Sequence, residues 1–190
     1  MVVELSKAVT MKRKFAIAVF ILFVVPAILF ATNKHLFEPI TLEHSVEIEA
    51  SPEEIWDFFY NLDENYQTWH PKDHVVFKWV EGKSMEVGTT FYAEEFALGE
   101  IKKYEGSVVE AVPNRKIVFS VSFPISIMTP KFEWIIEPRD SSTVFTAVTY
   151  VNAGGFWRKL LPQTMNAIID SGKLHMSEEG INLKRFLEEK

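Results

Sequence analysis

Two residues near the end of this 190-residue chain are placed to do chemistry together: His175 and Glu179, four apart in the stretch KLHMSEEG. On an α-helix that spacing puts both side chains on one face, a turn apart. The apolar positions of the same segment run Leu161, Met165, Ile168, Gly172, then His175, Glu179, Leu183 and Phe186. The pair therefore falls on the stripe that should face a core. An imidazole and a carboxylate there are costly unless they pair or bind something, and both are metal-ligand types.

Two other places add groups of the same kind. Trp69-His70-Pro71-Lys72-Asp73-His74 brings two histidines and a carboxylate into six residues, and Glu94 and Glu95 lie in the aromatic run FYAEEFA. In a strand one of those two glutamates faces inward. Glu95 does so if Phe91, Ala93 and Ala97 line the interior, and Glu94 if Tyr92, Phe96 and Leu98 do. The resulting candidate metal site is His70, Glu95 (with Glu94 as the alternative), His175 and Glu179. Nitrogen and oxygen donors of this kind suit Zn²⁺, and also Fe²⁺ or Mn²⁺. The chain has no cysteine, so a thiolate site is excluded. Asp73 and His74 are candidate catalytic groups, to orient water or act as general base. The plainer reading of His175 and Glu179 is a surface pair worth a few tenths of a kcal/mol.

The elements that must position these groups can be read from pattern. Residues 41–50 alternate apolar and polar, as a half-buried strand does. Ser51-Pro52-Glu53-Glu54 is a helix start, with Ser as N-cap and Pro at the first helical position. A second short helix is expected over 62–69, stopping before Pro71. Strands follow over 75–80, 89–98, 101–112, 116–123, 131–137 and 143–151, with turn signals at 113–115 and 138–142. A long amphipathic helix over about 157–188 closes the chain. The expected class is α+β: a curved antiparallel sheet wrapped around that helix, with a ligand cavity between them. Trp56, Trp69, Trp79 and Trp134 are expected in the core or the cavity wall.

The stretches VEIEASPEEIWDFF, VGTTF and VVEAVPNRKIVFSV, followed by a closing helix, resemble the helix-grip superfamily of polyketide cyclases and START-like lipid-binding domains. The likeness covers about residues 41–188. The set of His70 in Trp-His-Pro, a strand glutamate, and His175-x-x-x-Glu179 is similar to one branch, the 2,4-diacetylphloroglucinol hydrolases. That resemblance implies a zinc-dependent hydrolase cleaving an acyl bond, possibly carbon–carbon, of a small apolar or aromatic substrate. The competing expectation is a non-catalytic domain that binds or transfers a lipid or other hydrophobic ligand.

The N-terminus sets a further expectation. Residues 15–31 read FAIAVFILFVVPAILFA, 17 apolar residues without a charge. At about 1.5 Å per residue the run reaches across the hydrocarbon core of a bilayer. Lys12, Arg13 and Lys14 precede it, so the positive-inside rule leaves the N-terminus cytoplasmic and the domain on the outer face. The chain then divides into a basic segment 1–14, an anchor 15–31, a linker 32–40 and a domain 41–190. Cleavage as a signal peptide would instead release the domain, and Met11 offers a second possible start. Residues 1–34 hold five basic residues against Glu4, so the net charge of −6 leaves −10 for the remainder. An acidic domain without a basic patch excludes nucleic acid as the expected partner.

Overall fold

Alternation along residues 40–48 directs Leu42 and Ile48 inward and Thr41, Glu43, Ser45 and Glu47 outward, which makes β1 (Ile40–Ile48) one edge of a sheet. The computed structural model describes residues 20–24 and 38–189. Ser51 then starts α1 (Pro52–Tyr60) with a reciprocal cap: its hydroxyl accepts from the Glu54 amide, and its own amide donates to the Glu54 carboxylate. This pairing satisfies two otherwise unpartnered helix-end donors. After α2 (Leu62–Trp69) come β2 (His74–Glu81), β3 (Thr90–Ala97), β4 (Glu100–Val112), β5 (Lys116–Val121), β6 (Lys131–Pro138) and β7 (Thr143–Val151). The seven strands form one antiparallel sheet in the order β1-β7-β6-β5-β4-β3-β2. Register shifts in the β2–β3 and β4–β5 pairs mark irregularities that help a sheet bend. At Gly106 in β4 a Cβ would sit 2.3 Å from the Ser120 carbonyl oxygen and 2.5 Å from the Phe91 ring, so only glycine fits.

The closing segment is two helices, α3 (Gly155–Leu160) and α4 (Pro162–Glu188), rather than one. Leu161 leaves helical geometry between them, as a residue before proline tends to do. α4 runs along β1: a Cβ at Gly172 would touch Leu42, and one at Gly180 would touch the His44 ring. Its buried line is Met165, Ile169, Met176, Glu179, Gly180, Leu183 and Leu187. This differs from the expected stripe: Ile169, Met176 and Leu187 replace Ile168, His175 and Phe186 as the deepest positions, and Leu161 is exposed. Three- and four-residue steps can start from either neighbour, and packing on β1 selects the deeper one. His175 lies at the margin of the buried face.

Between sheet and α4 the space is filled with rings. Phe59 stacks on Trp134 at 4.1 Å, with Trp69 and Phe145 against Phe59 at 5.3 and 5.2 Å. The Trp69 indole donates to the Glu179 carbonyl at 2.9 Å, pinning the end of α2 to the middle of α4. The apolar run 15–31 lies outside the described residues except for one helical turn, Phe20–Val24. Among the described residues no helix is long and apolar enough to cross a membrane.

Candidate metal centre

The turn after α2 carries the first two histidines. His70 follows the last helical residue, the Asp73 and His74 amides both donate to its carbonyl, and β2 starts at His74. This tight turn brings His70 and His74 side by side, ring centroids 5.3 Å apart, and both are buried. α4 supplies the third ring: His175 lies 4.9 Å from His70 and 5.3 Å from His74. One ring nitrogen from each of the three lies within 4.8 Å of the others.

The outer hydrogen bonds decide how these rings point. His74 Nδ1 sits 3.0 Å from the Tyr66 carbonyl, an acceptor, so Nδ1 carries the proton and Nε2 a lone pair. His70 Nε2 lies 3.1 Å from the Glu178 carboxylate, which likewise leaves Nδ1 for the interior. Both inward atoms, His70 Nδ1 and His74 Nε2, are buried and have no hydrogen-bond partner. His74 Nε2 is 3.1 Å from Glu179 Oε1, out of line for a hydrogen bond. Bare buried lone pairs facing carboxylates are unfavourable unless a cation lies between them. Imidazoles whose outer nitrogens are held by a carbonyl and a carboxylate are the arrangement that orients metal ligands. The residues present therefore fit a divalent metal.

Two carboxylates border the rings. Glu179 Oε1 is 3.4 Å from His175 Nε2, and Asp73 Oδ2 is 3.4 Å from His175 Nδ1 and 3.7 Å from His70 Nδ1. Burial alone would lower the His175 pKa, but the charge and hydrogen bond of Glu179, with Glu95 and Asp73, raise it to about 10. Burial would raise that of Glu179; the charge and hydrogen bond of His175 hold it well below the usual carboxylate range. His70 is shifted down, by burial first and then by His175 and His74, which keeps its lone pair available.

Among the sequence candidates, His70, His175 and Glu179 come together, and Asp73 and His74, expected as catalytic groups, stand among them. Glu95 faces inward opposite His74 in the β2–β3 register, but its Oε1 accepts the hydroxyls of Tyr66 and Tyr104, each at 2.5 Å. Both phenols are shifted far up, by burial and then by Glu95, so they stay protonated as donors. Glu94 faces outward to Tyr92 and Lys103. Sequence reasoning missed Tyr66, Tyr104 and Glu178. Tyr66 precedes His70 by one helical turn, a spacing that could have flagged it. A groove of about 290 Å³ opens beside His70, walled by Pro71, Lys72, Glu178, Ile181, Asn182 and Arg185.

The model of a family described as polyketide cyclase / dehydrase and lipid transport matches residues 39–174. No curated protein matches the sequence. Solved structures do. The di-domain ARO/CYC StfQ of the steffimycin biosynthetic pathway superposes with a TM-score of 0.62 at 15% identity, over 83% of this chain and 53% of that one. Norcoclaurine synthase from Thalictrum flavum, solved with dopamine and hydroxybenzaldehyde, gives 0.58 at 15% identity over 83% and 92%. The polyketide-cyclase-like protein Cgl2372 from Corynebacterium glutamicum gives 0.52 at 21% over 80% and 93%. At these identities the likeness is one of fold.

Proposed function

This chain belongs to the polyketide cyclase / dehydrase and lipid transport family, and from that premise we propose that it is a membrane-tethered, metal-dependent hydrolase. Its substrate is a small apolar or aromatic molecule carrying a carbonyl, and residues 15–31 hold its domain on the outer face of the membrane. The observation that carries the catalytic part is the pair of buried, unpartnered nitrogens, His70 Nδ1 and His74 Nε2, beside His175. His70, His74 and His175 would hold the metal, with Glu179 or Asp73 as the oxygen donor. Zinc is the first choice for such a nitrogen-rich set. When bound, the metal polarises a carbonyl and acidifies water.

The chain's own groups have separable tasks. Tyr66 fixes the His74 tautomer through its carbonyl, and Glu178 fixes that of His70. With Glu179 as the oxygen donor, Asp73, between His70 and His175, would take a proton from water. Tyr66 and Tyr104 hold Glu95 as an oriented carboxylate at the edge of the centre. The groove beside His70 offers an approach from solvent.

The deciding measurement is metal content of the purified full chain by mass spectrometry. The expected result is one divalent metal per wild-type chain, loss of it in His74→Ala, and retention in Glu94→Ala. A wild type that binds no divalent metal at micromolar concentration would overturn the hydrolase reading. A non-catalytic binder of hydrophobic ligands would then take its place.

A further inference from the structure

One flank of α4 carries Glu178, Ile181, Asn182 and Arg185, a spacing that keeps all four on one face of the helix. That flank and the turn at His70, Pro71 and Lys72 are the two walls of the groove of about 290 Å³ beside the histidine cluster. Its size stands at the small end of ligand pockets. The walls are of two kinds. Pro71 and the half-exposed Ile181 offer apolar contact, while Lys72, Arg185 and Glu178 bring charge.

These charges do not cancel. Glu178 is already engaged, with Oε2 3.1 Å from His70 Nε2 and 3.8 Å from the Lys72 ammonium. Arg185 is exposed, and its guanidinium meets the Asn182 side-chain oxygen at 3.3 Å. Among the described residues it pairs with no carboxylate. Two cations thus face one carboxylate here, although the chain from residue 35 on is −10 overall. A cleft that inverts the sign of its surroundings concentrates ions of the opposite charge. The surplus of one suits a monoanion, because a second negative charge would stand against Glu178. A guanidinium fork takes a carboxylate through two parallel hydrogen bonds.

We infer that this groove holds a carboxylate of the substrate, with Arg185 as its first partner and Lys72 as its second, and an apolar or aromatic stem against Ile181 and Pro71. The inference deepens the hydrolase reading and rests on it: the substrate is an acid whose carboxylate is remote from the carbonyl that reacts. His70 links the two places. Its ring turns Nε2 to Glu178 in the groove wall and Nδ1 to the interior, so an acid held at Arg185 lies one imidazole away from the centre.

Binding to the metal-free full chain tests the groove alone, because a carboxylate then has no metal to ligate. NMR titration compares 3-phenylpropionate with its neutral amide and with 3-phenylpropyl phosphate. The acid is expected to bind about tenfold tighter than the amide, the factor that an ionised partner adds to a hydrogen bond. The preference fades in about 1 M salt. Arg185→Gln abolishes it, and Arg139→Gln, which removes the same charge from the turn between β6 and β7, keeps it. Equal or undetectable affinities for acid and amide would overturn the carboxylate site whatever the metal content. Tighter binding of the phosphate would overturn the monoanion. A preference that Arg185→Gln abolishes, in a chain that binds no zinc, would leave the carboxylate site and end the hydrolase. On the zinc-loaded chain, hydrolysis of 3-(4-acetoxyphenyl)propionate against its amide should show the same factor in KM. The factor appearing in kcat instead would place the acid at the centre and overturn the groove.

Discussion

Two buried glutamates, Glu133 on β6 and Glu179 on α4, are both held below the usual carboxylate range by nearby cations, and they serve different ends. Glu133 is met by Lys131 at 2.8 Å and Lys116 at 3.4 Å, with Tyr150 beside it. Those lysines reach in from the surface on flexible stems, so the cluster is complete and can relax into water. Glu179 is met by imidazoles fixed on β2 and α4, and two inward nitrogens of the histidine cluster, His70 Nδ1 and His74 Nε2, lack partners. A satisfied ion cluster holds structure. A rigid cluster with unspent lone pairs is equipped to bind something.

The sharpest break between the two should appear in metal affinity. Glu179→Gln is expected to weaken zinc binding by more than about 100-fold, since changes to groups that only orient ligands already cost about 10–100-fold. Glu133→Gln should leave it unchanged. Zinc titration against a competing chelator measures both, and equal effects would mean that the two clusters do not differ in metal binding.

pH separates the clusters next. In chelator-treated protein His175 is raised from 6.5 to about 10, so the fold holds its proton more tightly than the unfolded chain does. That stabilisation is complete below pH 6.5 and is lost as pH climbs toward 10. Glu133 is lowered from 4.5, burial opposing and Lys131 and Tyr150 prevailing, so its contribution is complete above 4.5 and is lost as pH falls. Melting temperatures across pH should therefore show an alkaline decline that His175→Ala flattens and Glu133→Gln does not. Saturating zinc should also remove that decline, because ligation requires neutral imidazole.

The smallest effect belongs to Lys131→Ala. This side chain is two-fifths exposed, and Glu133 keeps Lys116 and Tyr150, so urea unfolding should show a loss of about 0.5 kcal/mol or less. A loss of several kcal/mol would mean that the Glu133 cluster is as rigid as the histidine one.

Local chemistry made much of this molecule legible in its residues. Alternation marks the strands, Ser51 and Pro52 mark the start of α1, and the chain order of elements points to a sheet closed by a final helix; the sheet has seven strands in meander order after β1. His175 and Glu179 stand a turn apart because helix geometry relates residues four apart without reference to anything distant. What local pattern cannot carry is depth and direction. His74 reads as a candidate catalytic group beside the site rather than a member of it, yet the turn at His70 and the start of β2 bury it with Nε2 toward α4, about a hundred residues further along the chain. The choice between Glu94 and Glu95 needed the register of β3 against its neighbours and two tyrosines from other elements. The sequence by itself determined which residues could do chemistry and which faces they occupy locally. Only tertiary packing decided which of them meet, because the contacts that orient the three imidazoles join α2, β2 and α4, segments that no periodicity relates.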